Sequence, residues 1–275
     1  MLNLILATLC SASVSVIMRI SGKYIHNQLT MLACNYVMCS ILGGSFAGGQ
    51  LFPRTDGLAL AIVLGIIGGF FYLTSFMLMQ KNVKQNGVVL PTTFMKLGIV
   101  IPVLSAILVF GEAPRMVQFA GIALALAAIV VMQEKGQDLR SFGSIFWLWL
   151  TTGISSAMSK VYDGFGVPAL KNQFLFYIFA SALVMCVIVC IIRKQKISLW
   201  DLFFGLIIGI PNYLCSRFIL LSLEQVPAII TYPCYSVGAI VLVTLAGVFA
   251  FRETLSRRKM ISLGMILCAL VLLNL

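Results

Sequence analysis

Residues 57–79, GLALAIVLGIIGGFFYLTSFMLM, and residues 199–222, LWDLFFGLIIGIPNYLCSRFILLS, decide the fold. Each is an apolar run long enough to cross a bilayer once, which takes about 20 residues of helix. They also match one another. Ile66-Ile67-Gly68 corresponds to Ile207-Ile208-Gly209, and Tyr72-Leu73 with Ser75 corresponds to Tyr213-Leu214 with Ser216. Sliding the chain along itself by 141 residues, which carries Ile66 onto Ile207, aligns the halves without a gap. The identities are about twice what so biased a composition gives by chance. Tyr36 and Ser40 then meet Tyr177 and Ser181, Phe110 and Glu112 meet Phe251 and Glu253, and basic Arg19 meets basic Lys160.

The rest of the chain has the same character. Of 275 residues, 61% are hydrophobic and 10% charged, and the mean hydropathy is +1.06. A soluble domain could not hide that much apolar surface, because its exterior must face water. A soluble enzyme, a nucleic-acid-binding domain and a disordered chain are thereby excluded. Apolar segments run over 2–20, 29–49, 57–79, 87–110, 115–133, 142–161, 173–192, 199–222, 226–250 and 259–274. Ten spans leave short connections and no room for a second, soluble domain. Residues 1–15 lack the basic start of a signal peptide, and their apolar run continues to Ile20, so they read as the first span.

The expected fold is therefore all-α: a polytopic membrane protein of ten transmembrane helices. Residues 1–137 form a first five-helix repeat and residues 138–275 a second. An odd number of helices per repeat turns the second copy upside down in the membrane, the inverted repeat of many secondary transporters.

The net charge of +11 is read as a matter of orientation, since basic residues hold loops on the cytoplasmic side. Connections 1–2, 3–4, 5–6, 7–8 and 9–10 carry most of it, including Lys23, Lys81, Lys84, Arg193, Lys194, Lys196, Arg257 and Arg258. The opposite side has Arg54, Arg115, Lys160, Lys171 and Arg217. This pattern points both termini away from the cytoplasm. The eight cysteines fall in apolar stretches without metal-ligand spacing, and His26 has no second histidine to share a metal. Neither a metal nor a cofactor is expected.

Ten short-looped helices, a five-plus-five repeat and a Phe-x-Glu turn before the last helix of each half resemble the drug/metabolite transporter superfamily, EamA type. The carrying residues are Val109-Phe110-Gly111-Glu112 with Gln118 and Gly121, and Phe251-Arg252-Glu253 with Ser262 and Gly264. Arg252 and Ser262 stand where the family usually has Gly. The resemblance implies a multi-pass protein of the bacterial inner membrane that moves a small molecule, as a monomer or homodimer among membrane lipids and without nucleic acid. Relatives of this kind are commonly drawn with cytoplasmic termini, the reverse of what the charges imply.

All eight acids lie in connections or at helix ends, whereas exchange of protons for lipophilic cations needs an anion inside the membrane. The small multidrug resistance relatives carry a glutamate in their first helix; this chain has Ser11, Ser13 and Ser15 there. Lys96, deep in the fourth segment, is costly to insert and calls for a partner or a wet cavity. It reads either as an anchor for a carboxylate or phosphate or as a lysine satisfied by carbonyls; the sugar-phosphate translocators of the superfamily are similar in placing a lysine there. Arg217 is shallower, a second anchor or an arginine reaching the interface. Arg19 and Lys160 read as interfacial. Prolines 91, 102, 211, 227 and 233 free carbonyls for a cavity or a kink. Glu112 and Glu253 read as caps of the helices that follow them, or as gates. Tyr72 with Ser75, Tyr213 with Ser216, and Tyr232 with Tyr235 each share a helix face, suited to a pocket or to interhelical hydrogen bonds. Ser15 and Ser156 complete the expected substrate-binding set of Lys96, Arg217, Tyr72, Ser75, Tyr213, Ser216, Tyr232 and Tyr235. The expected function is secondary transport, by alternating access, of a small anionic or zwitterionic metabolite: an amino acid, organic acid or phosphorylated compound. The alternative is multidrug export of lipophilic amines.

Overall fold

A computed structural model describes residues 1–86, 94–95, 97–131, 142–251 and 257–274. Lys96, Pro91, Glu253 and the repeat boundary at 137/138 lie outside the described residues. Those described contain ten α-helices and no strand. They are α1 (Leu2–Ser21), α2 (Gln28–Phe46), α3 (Leu58–Asn86), α4 (Val100–Leu108), α5 (Met116–Val131), α6 (Phe142–Phe165), α7 (Lys171–Ile192), α8 (Leu199–Leu223), α9 (Ala228–Phe251) and α10 (Arg257–Asn274). Among the described residues, six stretches are long and apolar enough to cross a membrane: α1, α2, Leu58–Met79, Pro168–Ile192, α8 and Ala228–Phe249. Shorter apolar helices occupy Met116–Ala128 and Met260–Ala269. In lipid a helix satisfies its own backbone, which is why apolar runs of this length take that form. The chain is an integral, multi-pass, all-helical membrane protein.

The boundaries differ from the sequence reading for identifiable reasons. Helix α2 stops at Phe46 because Gly48 and Gly49 follow at positive φ. Helix α3 runs past Met79 to Asn86. There the Asn82 amide donates to the Leu78 carbonyl (2.8 Å) and to the Ser144 hydroxyl (2.9 Å) and carbonyl (3.3 Å) at the start of α6. The fourth segment is broken at Gly98-Ile99. Pro102 has no N–H for the Gly98 carbonyl, which instead accepts from the Ile101 amide at 3.1 Å. The Leu97 carbonyl then takes the Trp149 indole N–H at 3.1 Å. A short 3-10 turn, Pro168–Leu170, leads into α7 and was not expected.

The chain divides into two compact units, and each draws on both halves of the sequence. The first comprises Met1–Leu73 and Val161–Glu224, the second Thr74–Lys160 and Gln225–Leu275. In the first unit, α8 packs on α1 and α2, and α2 also packs on α7. Met31, Phe204 and Ile208 form a small core there under Val14, Ile17 and Met18. In the second, α10 packs on α5, and α9 touches α4, α5 and α10 around Ala125, Ala128, Val237 and Ala269.

One contact in the first unit is made twice. A Cβ at Gly205 would stand 2.5 Å from Cys34 Cβ and 3.1 Å from the Asn35 nitrogen; one at Gly209 would stand 2.5 Å from Met38 Cβ and 2.8 Å from the Asn35 oxygen. On the other side, Gly65 meets Tyr177 Cβ and the Ile178 nitrogen, and Gly69 meets Ser181 Oγ and the Ile178 oxygen. Both are parallel crossings, α8 on α2 and α3 on α7, with Gly-x-x-x-Gly letting backbones touch. Gly205 and Gly209 correspond here to Gly65 and Gly69, and Cys34, Asn35 and Met38 to Tyr177, Ile178 and Ser181. The spatial correspondence therefore slips by one residue in α3/α8 and two in α2/α7 from the gap-free alignment.

Candidate functional site

Helices α2, α3, α7 and α8 place a polar and aromatic knot inside the first unit. The Tyr72 hydroxyl donates to Asn212 Oδ1 at 2.9 Å, and Asn212 Nδ2 donates to Asn35 Oδ1 at 3.2 Å. The Cys39 thiol lies 3.2 Å from Asn35 Oδ1 and 3.3 Å from the Gly209 carbonyl. Asn212 follows Pro211 near the middle of α8. The close α2–α8 crossing is what brings the two asparagines within reach. Around them the rings of Tyr36, Tyr72, Phe179 and Tyr213 pack edge-on or tilted, with neighbouring centroids 5.9–6.4 Å apart. Tyr36 and Tyr213 are wholly buried, yet among the described residues neither hydroxyl has a hydrogen-bond partner; the Ser40 hydroxyl is likewise buried and unpartnered there.

One turn beyond Tyr213, the Arg217 guanidinium carbon lies 3.7 Å from the centre of the Phe46 ring, which stacks on Tyr213 at 5.7 Å and 10°. Ser216 donates to the Asn212 carbonyl at 3.3 Å, and Ser15 to the Ser11 carbonyl at 3.0 Å. Both hydroxyl protons are thus committed to their own helices.

Two polar hubs fix the ends of the first unit's helices. Asp201, fully buried in the first turn of α8, accepts from the His26 amide (2.9 Å), the Ser198 amide (3.1 Å), the Asn27 amide (3.4 Å) and the Thr30 hydroxyl (2.8 Å). It completes a capping box with Ser198 and ties the α1–α2 connection to α8. At the other end, Lys171 pairs with Asp163 (3.5 Å) and with Glu224.

In the second unit, Glu112 joins α6 to α9. Its carboxylate lies 2.8 Å from Lys160 Nζ and accepts the Ile229 amide at 3.1 Å. Lys160 in turn stands 4.9 Å from the centre of the Phe110 ring. Two sequence expectations are corrected here. Glu112 caps α9, distant in sequence, rather than the helix that follows it. Lys160 is buried and ion-paired rather than interfacial. Tyr232 donates to the Ser156 carbonyl at 2.9 Å, and the Ser156 hydroxyl donates to the Thr152 carbonyl at 3.1 Å. Ser75 is buried and Tyr235 half-buried in the same unit. A cavity of about 150 Å³ among α4, α5 and α9 is lined by apolar side chains, among them Val103, Phe119 and Pro233.

Of the expected substrate-binding residues, Tyr72, Tyr213, Ser216, Arg217 and Ser15 thus belong to the first unit, and Ser75, Ser156, Tyr232 and Tyr235 to the second. Lys96 lies outside the described residues. Asn35 and Asn212 lie outside the expected set, although each is an amide inside an apolar run. In the gap-free alignment they meet Phe176 and Phe71, so the internal comparison could not raise them.

Residues 1–133 match the EamA-like transporter family. An uncharacterised protein of Haemophilus influenzae is 24% identical over 276 residues, covering 93% of this chain and 91% of that protein. A protein crystal structure shares the fold with a TM-score of 0.76 at 15% identity, over 98% of this chain and 94% of that one.

Proposed function

Residues 1–133 belong to the EamA-like transporter family of the drug/metabolite transporter superfamily, and from that premise we propose that the chain carries a small anionic or zwitterionic organic metabolite across the membrane by alternating access. The observation that carries the choice of substrate is where the charges lie. The described carboxylates, Asp56, Glu112, Asp163, Asp201 and Glu224, stand in connections or in the terminal turns of helices. The described mid-span polar groups, Asn35, Tyr72 and Asn212, are neutral. A lipophilic cation entering the membrane needs a carboxylate as counter-ion. Carboxylates, phosphates and amino acids need cations and hydrogen-bond donors, which Arg217, the tyrosines and, from the sequence, Lys96 supply. Inverted repeats give alternating access by exchanging the arrangements of equivalent helices. The repeated α8–α2 and α3–α7 crossings support that reading.

The test is a thermal-shift panel of anionic, zwitterionic and cationic metabolites on the purified protein, with Lys96→Ala in parallel. Stabilisation by acids or phosphates, weakened in the variant, is the expected result. Stabilisation by cations alone, unchanged in the variant, overturns the reading and favours export of lipophilic amines.

A further inference from the structure

We infer that Arg217, with Phe46 and the Tyr213 hydroxyl, forms an oxyanion-binding site in the first unit, taking a carboxylate or a phosphate. Arg217 lies six residues before the end of α8, about 9 Å of helical rise from the terminus. Arg217 is half-buried. The buried cations described in or beside the spans are matched with acids: Lys160 with Glu112, and Lys171 with Asp163 and Glu224. Among the described residues no carboxylate pairs with Arg217. Its guanidinium instead lies on the Phe46 ring at 3.7 Å. Such stacking holds the planar group by its face and leaves its N–H edge free to grip an oxyanion in bidentate fashion.

The second observation is Tyr213. It stacks on Phe46, the ring that Arg217 lies on, is wholly buried, and its hydroxyl has no partner among the described residues. Unlike the other unpartnered hydroxyls, that of Tyr213 belongs to a ring one helical turn before Arg217 and stacked on the same Phe46, so an acceptor held by the guanidinium can take its hydrogen bond. A guanidinium and a phenol O–H are both donors, and a ligand that satisfies them together carries at least two acceptor oxygens. A carboxylate or a phosphate meets that requirement; an amine does not. The inference rests on the transport reading for its occupant, and a phospholipid headgroup is the other source of the same chemistry.

The experiment uses the full chain in a phosphorus-free maltoside detergent. Thermal shift measures binding of succinate and of inorganic phosphate to the wild type and to Arg217→Gln, Arg217→Lys and Tyr213→Phe. Native mass spectrometry on the same samples reads retained phosphatidylglycerol. The expected result is an affinity for the soluble anions about tenfold or more lower in Arg217→Gln. Arg217→Lys, which keeps the charge but not the fork, recovers only part of it, and Tyr213→Phe gives a smaller fall. An Arg217→Lys melting temperature like the wild type's without ligand shows that the fold is kept. Phosphatidylglycerol held by the wild type and lost from Arg217→Gln, with no response to soluble anions, supports the oxyanion site and assigns it to lipid. Anion affinity equal in all four proteins overturns the site while leaving the transport reading standing. A wild type stabilised by cations alone overturns both.

Discussion

Asn212 occupies a place where a lipid-spanning helix ordinarily has leucine, and its worth lies in what it joins. Its amide connects Tyr72 on α3 to Asn35 on α2, both by hydrogen bonds of ordinary length. Inside a membrane such bonds are individually modest, about 0.6 kcal/mol on average and about 1.7 at most, since an unfolded helix also finds partners. Asn212→Leu should therefore lower unfolding stability in detergent by about 1 kcal/mol. Adding Asn35→Leu should cost less than the two single changes summed, because the second removes a partner already lost; strict additivity in the double-mutant cycle would show that the pair is not coupled. The neighbouring tyrosines separate two roles for the same group. Tyr72→Phe deletes a bond that is made, and should cost a measurable fraction of that amount. Tyr36→Phe deletes a buried hydroxyl with no partner, and should leave the melting temperature unchanged or raise it. A marked fall in Tyr36→Phe would mean that this hydroxyl is satisfied by a bound water or ligand.

The helices themselves were legible in the sequence, because length and apolarity alone decide which segments can sit in lipid. Their interruptions were less so. The break at Gly98-Ile99 depends on Pro102 and on the Trp149 indole, and the latter is 52 residues from the carbonyl it satisfies. The Gly-x-x-x-Gly runs are visible in the sequence, but only the structure supplies the helices they pack on. Gly209→Ala would place a Cβ 2.8 Å from the Asn35 oxygen, a backbone atom that cannot swing away. Overpacking of this kind costs about 1–3 kcal/mol. Gly264, whose added Cβ would meet nothing within 4 Å, is the control: Gly264→Ala should be neutral or stabilising through helix propensity. Equal losses in the two variants would dissociate the cost from the crossing. Glu112 supplies a sharper test, since one carboxylate both pairs with Lys160 and caps α9. Removing it takes this ion pair from buried Lys160, a change that costs about 3–5 kcal/mol in soluble proteins. Exchanging the charges, Glu112→Lys with Lys160→Glu, restores the pair but leaves the Ile229 amide without its acceptor. The exchange should rescue stability only in part, and full rescue would show that the cap contributes nothing.

At the scale of the whole molecule, internal repetition was the strongest signal in the sequence, and it is also what the site could not be read from. Tyr72 and Asn212 are 140 residues apart, and Asn35 and Asn212 are 177 apart. Only the packing of helices from both halves into one unit joins them. The repeat also makes a prediction that no single contact makes. If each half has an odd number of spans, equivalent connections must emerge on opposite sides of the membrane. The connection after α2 and the connection after α7 are such a pair, and both are exposed at Gln50 and Lys196. The charges differ in the sense this requires: Arg54 alone is basic in the first, whereas Arg193, Lys194 and Lys196 stand in the second. Basic connections stay in the cytoplasm. In a background with its eight cysteines replaced, Gln50→Cys should be labelled by an impermeant maleimide on intact cells, while Lys196→Cys and Lys23→Cys should be labelled only after permeabilisation. Labelling of Gln50→Cys and Lys196→Cys from the same side would sink the inverted repeat. The reverse pattern, with Lys23 and Lys196 outside, would leave the repeat standing and overturn only the orientation drawn from charge. The mechanism needs the antisymmetry of the two connections, not their absolute direction, so these outcomes test the fold and its orientation separately.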